Sequence, residues 1–364
     1  MSANPPTQEL RRTPLRLRLL WGAVTGLIFG AIALASSRLD FFEGLEGITL
    51  DLRQQLLVAP TPASGQVAVI LIDEYSIQQL RRKEGVIWPW PRDVYVPLIL
   101  YLKRAGARAI VFDLIFSEPG QRKIDAALAE AAQEAGNVVF ASQLEVSIPG
   151  VEPLEPEAEA ARIRDEAAAV EKGRVAVDGW PHPPRPDITR IVAPLPELTA
   201  AARGVGFATV REDAGGTVRR AELCYPYPDA SSVIGSLPLL GALAALGAEG
   251  KASLSAGSLR VGGRRIPLGA EGRAFIRFYG KETTLQMDNA FSIIASFVAL
   301  EEGKAPVVDP ARFAGKVVFI GENAAGIGDI VSVPVSNRFP GTEFMATVCA
   351  NILGGEFLEE LGTP

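Results

Sequence analysis

Histidine and cysteine are almost missing from this sequence: His182 is the sole histidine, and Cys224 and Cys349 are the only thiols. A tetrahedral zinc site cannot be assembled from that inventory. A Ser-His-Asp triad would have to use His182, which lies in the proline-rich stretch GWPHPPRP, where an exposed loop position is the simpler reading. No serine occupies a G-x-S-x-G elbow. The stretch GENAAGIGD lacks the GK[ST] of a phosphate loop and the G-x-G-x-x-G of a dinucleotide turn, so it reads as a tight-turn loop. No cofactor motif remains. Positive charge is also short, with 36 Lys and Arg against 42 Asp and Glu, a net charge of −6. Outside the N-terminus there is no basic stripe, which excludes a nucleic-acid partner. The two cysteines could pair in an oxidising compartment, but two buried thiols are the favoured reading.

What the chain does have is apolar mass. Apolar residues make up 48% and charged residues 21%, and the mean hydropathy is +0.19. Both values lean toward a membrane segment. Leu19 to Ala35 (LLWGAVTGLIFGAIALA) holds 17 residues without a charge, and Ser36 and Ser37 extend it before Arg38. At a helical rise this run is about 28 Å long, close to the thickness of a bilayer core. Gly22, Gly26 and Gly30 recur every four residues, the spacing at which membrane helices pack closely. Arg11, Arg12, Arg16 and Arg18 precede the run, which keeps the N-terminus cytoplasmic and places everything after Arg38 outside. A cleaved signal peptide is the competing reading, since Ala33–Ala35 fits a small-x-small site and Arg11-Arg12 is a twin arginine. The run exceeds a normal signal core, so a retained anchor is favoured. The expected organisation is a tail over 1–18, a transmembrane helix over 19–37 and an extracytoplasmic domain over 38–356. Residues 357–364 would lead into a further membrane helix.

The outer part alternates strands and helices. A helix leads away from the membrane, with Phe41 and Phe42 at the interface, and APTPASG breaks it. VAVILID (67–73), ARAIVFDLIF (107–116) and NVVFAS (137–142) read as buried strands. Helices are expected between them, over 76–82, 93–105 and 125–136. This order implies an α/β fold: a mixed, largely parallel sheet flanked by helices, with right-handed crossovers. Residues 145–200 break the pattern. Seven acidic and three basic residues fall between Val151 and Lys172, which reads as a solvated helix or a mobile excursion within an irregular acidic insertion. Inserted hairpins are expected near REDAGGTVRRAEL and around Gly262-Gly263. The pattern also predicts helices over 236–247, 287–300 and 342–353, and a strand at GKVVFIG.

In open parallel sheets ligands gather beyond the carboxyl ends of the strands. The residues there are Asp73 and Glu74, Asp113, and Glu322 and Asn323, with Asp329 on the following loop. The loop GVIWPWPRDVY brings Trp88, Trp90 and Arg92 near the first pair, with prolines restricting its freedom. Two roles suit these residues: a buried network in which Arg92 holds the loops to the aspartates, or a ligand site with the tryptophans as an apolar wall.

Taken in order, LEGITLDLR, VAVILIDEYSI, WPWPRDVY, AIVFDLIF, GGTVRR, KVVFIGENA, GDIVSVPV and PGTEFMATVCANIL resemble the extracellular sensory domain of the CHASE family, type two, over about residues 40–356. The resemblance implies an anchored input module facing the periplasm or exterior, joined to a cytoplasmic cyclase or kinase output outside this sequence. By position it implies signature residues at Asp51, Arg53, Asp73, Trp88, Arg92, Asp113, Gly216, Arg219, Gly321, Asp329, Pro334, Gly341 and Glu343. Gly215 departs from a common acidic residue, and Met345 from a frequent histidine. The resemblance names no ligand, and the stimulus is unknown. Cyclases and kinases act as dimers, so a homodimer is expected, with the glycine stripe and the helix over 41–57 as contacts. The expected location is the inner membrane with the folded part periplasmic. Two rival readings are a scaffold for oligomerisation and a tethered enzyme using Asp73, Asp113 and Asp329.

Overall fold

The computed structural model describes residues 15–36, 40–146, 155–177, 180, 185, 188–213, 215–228, 232–247, 252–255, 257–324 and 329–359, with side chains at all of these except 15, 17–18, 31–36, 40–46, 255 and 270. His182, residues 325–328 within GENAAGIGD, and the side chains of Phe41, Phe42 and Ala33–Ala35 lie outside the described parts. The chain divides into two compact units, Met1–Leu52 and Arg53–Pro364.

In the first unit, helix α1 (Leu15–Ser36) contains the uncharged run, and α2 (Asp40–Leu57) begins after it. Among the described residues no helix is long and apolar enough to cross a membrane. The described side chains of α1 cover Arg16 and 19–30 only, so the membrane-spanning expectation rests on the sequence run.

The second unit follows the expected alternation. In chain order come β1 (Val67–Ile72), α3 (Glu74–Glu84), α4 (Val96–Arg104), β2 (Ala109–Asp113), α5 (Arg122–Ala135) and β3 (Val138–Val146). Then follow α6 (Pro156–Gly173), β4 (Ile188–Val192), α7 (Pro196–Ala201) and β5 (Gly204–Phe207). Short strands β6 (Arg220–Glu222), β7 (Cys224–Pro226) and β8 (Val233–Gly235) lead to α8 (Leu237–Leu246) and the small sheet β9 (Ala252–Ser255), β10 (Ser258–Val261) and β11 (Arg264–Pro267). The chain continues through β12 (Arg273–Phe275), β13 (Gln286–Asn289), α9 (Ala290–Glu301), β14 (Val317–Glu322), β15 (Ile330–Val333), β16 (Ser336–Pro340) and α10 (Gly341–Gly354).

The central sheet runs β13-β1-β14-β2-β3, with β5 also paired to β3. These strands are parallel, and only β4 joins antiparallel. Alternation along each strand builds two cores. Val67, Val69, Val111, Val317 and Phe319 meet residues of α8 and α10 on one face. Ala68, Ile70, Phe112, Val318 and Ile320 meet residues of α3, α4, α5 and α9 on the other. A strand covered on both faces carries no polar side, which is why β1, β2 and β14 read as continuous apolar runs.

Three sequence expectations are corrected. Residues 145–200 are not irregular throughout: the acidic stretch is a helix, α6, but not a wholly solvated one, since it buries Glu166, Ala169 and Val170, and β4 extends the main sheet. The helix expected over 287–300 starts at Ala290, because Gln286–Asn289 forms edge strand β13 beside β1. REDAGGTVRRAEL is not a self-paired hairpin; its strand β6 pairs with β12. The hairpin around Gly262-Gly263 is present as β10 and β11. Both cysteines are buried and free.

Candidate functional site

At the carboxyl end of the sheet, a cleft of about 500 Å³ opens between two loops. One is the tryptophan loop that follows α3. The other is the lip over 114–121 that continues from β2. Glu322, the last residue of β14, also lines the cleft. In the sheet β14 lies between β1 and β2, so its end lies beside the start of the lip that β2 sends out.

The tryptophan loop is held by packed rings. Trp88 and Trp90 meet edge to face, with centroids 5.4 Å apart and planes at 74°. Trp90 leans on Tyr95 at 6.0 Å, and Tyr95 meets Phe112 and Phe116 edge-on. Aromatic pairs in this arrangement add about 0.5–1.5 kcal/mol beyond their burial. The Trp88–Pro89 peptide is cis. Trp90 is 4% exposed, and its indole N–H has no hydrogen-bond partner among the described residues.

Arg92 does not reach the expected acidic rim. Its guanidinium donates to the Asp125 carboxylate and to the Glu118 backbone carbonyl, and it lies over the Phe116 ring at 5.7 Å. Asp125 takes a further hydrogen bond from the Gly120 amide, at 2.9 Å. Gly120 matters here because a Cβ would come within 3.1 Å of both Arg92 Nη1 and Asp125 Oδ1. Arg92 therefore ties the tryptophan loop to the lip. Its partner Asp125, on the first turn of α5, was absent from the sequence candidates.

The remaining candidates divide into local caps and a separate acidic group. Asp73 caps α3, accepting from the Ser76 amide at 2.8 Å and from its hydroxyl at 2.6 Å. Glu74 is exposed and accepts from Gln78 at 2.8 Å. Asn323 is held through its backbone, whose N–H donates to Ile72 O at 3.0 Å. Asp113, at the end of β2, accepts from the Thr342 hydroxyl at 2.9 Å. Burial pushes the Asp113 carboxyl up to about 6, and the negative charges of Asp329 and Glu322 add to the rise. Asp329 is exposed. Thr342 is 2% exposed, so the Asp113–Thr342 hydrogen bond is largely shielded from water. Among the described residues, no group of three or more His, Cys, Asp or Glu is placed to hold a metal.

Several family-type positions prove to be joints of the fold. A Cβ on Gly321 would come within 2.0 Å of Thr342 Oγ1, so glycine lets α10 press against β14. Gly341 passes close to Asp329 and donates its N–H to the Asp329 carbonyl at 2.8 Å. Pro334 O accepts from Gln55. Glu343 is fully buried and accepts from the amides of Thr283, Thr284 and Leu285 at 2.9, 3.1 and 3.4 Å. Burial raises its carboxyl to about 7, while those amides pull the other way. Asp213 gathers Arg220 and Arg273 at 2.9 and 2.8 Å and accepts from the Arg219 amide. Gly215 and Gly216 make the preceding turn at φ of 88° and 76°. Met345 is buried in the core.

A family model described as the CHASE2 domain matches residues 24–363, nearly the whole chain. No curated protein matches the sequence, and no solved structure matches it.

Proposed function

From the premise that this chain belongs to the CHASE2 domain family, a family of sensory domains, we propose that it is the extracytoplasmic input module of a membrane-anchored receptor. The observation that carries the reading is the aromatic cleft at the carboxyl end of the sheet, built from the tryptophan loop after α3, the lip after β2 and Glu322 at the end of β14. The uncharged run at Leu19–Ala35 and the arginines before it support a retained inner-membrane anchor with the folded unit outside. A stimulus that fits one arrangement of the two loops better than another shifts the population toward it, and the adjoining helices pass that bias inward. The partners in this reading are the membrane, a second copy of the chain and a cytoplasmic nucleotide cyclase or kinase. Buried caps and ion pairs account for Asp73 and Arg92, which weakens the rival reading of a tethered enzyme on that rim.

The test is a fusion of the chain to a reporter adenylate cyclase, with paired cysteines introduced along α2 to lock dimers. Cyclase output should change with crosslink position. Output identical for every crosslink, or cytosolic labelling of an introduced cysteine near Ile115, would overturn the receptor reading.

A further inference from the structure

Two polar groups of the cleft have nothing to bond. Tyr95 lines it, with its ring packed on Trp90, Phe112 and Phe116. The residue is 3% exposed, yet its oxygen is not sealed off as the Trp90 nitrogen is. The hydroxyl has no hydrogen-bond partner among the described residues. Burial keeps this phenol protonated; the negative charge of Glu322 adds to that effect and the positive charge of Arg92 opposes it. Both charges line the same cleft. Glu322 is half-buried, and its carboxylate has no hydrogen bond or ion pair among the described residues. Burial alone raises its pKa, as expected of a carboxyl that lost water and gained no donor.

The needs of these two groups are opposite. A buried phenol must place its proton on an acceptor, and an ionised carboxylate must receive donors. A group set between them accepts from one and donates to the other. An ammonium has no acceptor and a carboxylate has no donor, whereas a hydroxyl does both at a single atom. Arg92 is taken by Asp125 and the Glu118 carbonyl, so it does not balance an acidic guest. Around the pair the lining is apolar, with Pro89, Pro91, Leu114, Ile115 and Ile124. A cleft of about 500 Å³ that combines apolar walls with a few polar groups suits a small molecule. We infer that it binds a small neutral alcohol, whose hydroxyl accepts from Tyr95 and donates to Glu322 while its apolar body lies along Leu114, Ile115 and Ile124. Such a hydroxyl reproduces the hydrogen bonds of the water it displaces, and the body removes apolar surface from solvent. The inference rests on the sensor reading of this cleft and gives its stimulus a chemical class.

The test is a ligand-observed NMR titration of the full chain with four probes of one frame: benzyl alcohol, benzylammonium, benzoate and toluene. Benzyl alcohol should bind saturably and most tightly, by about fivefold over toluene, the worth of one neutral hydrogen bond. Tyr95→Phe keeps the ring and removes the hydroxyl, and Glu322→Leu removes the acceptor. Each should lower benzyl alcohol affinity about fivefold and leave toluene unchanged, which also reports that the cleft is intact. Should Glu322→Leu disturb toluene binding, Tyr95→Phe decides alone. Benzylammonium or benzoate binding more tightly than the alcohol, an alcohol no tighter than toluene, a Tyr95→Phe chain that binds the alcohol like the parent, or no saturable binding of the alcohol at millimolar concentration would each overturn the inference. None of these results bears on the crosslinked fusion, which needs no ligand, so failure of the ligand class and failure of the receptor reading stay distinguishable.

Discussion

The Arg92–Asp125 pair is the fastening of the cleft, and its energy can be isolated by removing each partner alone and both together. The Asp125 side chain is 3% exposed and that of Arg92 13%, so both charges are largely out of water. Deleting one partner of a buried pair costs about 3–5 kcal/mol, chiefly because the other charge is stranded. Arg92 keeps the Glu118 carbonyl and some water, which brings Asp125→Ala down to about 2–3 kcal/mol. Loss of the Gly120 hydrogen bond adds about 1 kcal/mol. Arg92→Met strands Asp125 instead, and a similar cost is expected. In the double variant neither charge is stranded, so its loss should fall short of the summed single losses by about 2 kcal/mol, well above the usual additivity error. Urea unfolding of the four chains followed by circular dichroism gives each midpoint and slope. Single losses that add within about 0.5 kcal/mol would refute the pairing as a structural joint. That outcome would return Arg92 to the role of a free guanidinium facing the cleft.

Two further predictions concern the joint between β14 and α10. Gly321→Ala should destabilise by about 2–3 kcal/mol, as overpacking does, because the added Cβ meets the Thr342 hydroxyl; adding Thr342→Ala, which removes that hydroxyl, should recover part of the loss in the same urea assay. The Glu343 carboxyl rises from 4.5 to about 7 in the folded chain, so the folded state holds a proton that the unfolded state releases. Stability from that proton is present below about pH 4.5 and disappears as pH climbs through about 7. The advantage of the parent over Glu343→Gln should therefore shrink between those values. An advantage that grows with pH would show that the three amide donors keep the carboxylate charged.

How far the sequence discloses this arrangement depends on whether a feature is periodic or paired. β1, β2 and β14 are runs of buried apolar side chains on both faces, and the chain order alone identifies them. Strand β13 reads Gln286-Met287-Asp288-Asn289, half-buried throughout, so it carries neither an apolar run nor alternation. Its strand geometry comes from pairing with β1, and only the fold supplies that. The acidic segment misleads for a similar reason. Glu166 is buried among Arg162, Tyr227 and the Ile191 amide, partners that make a solvated-looking composition compatible with packing. At the cleft, tryptophan, proline and arginine in one short loop drew attention to Trp88, Trp90 and Arg92. Asp125 resembles an ordinary first-turn acid of an alanine-rich helix, and its partner is 33 residues away. No spacing rule links the two.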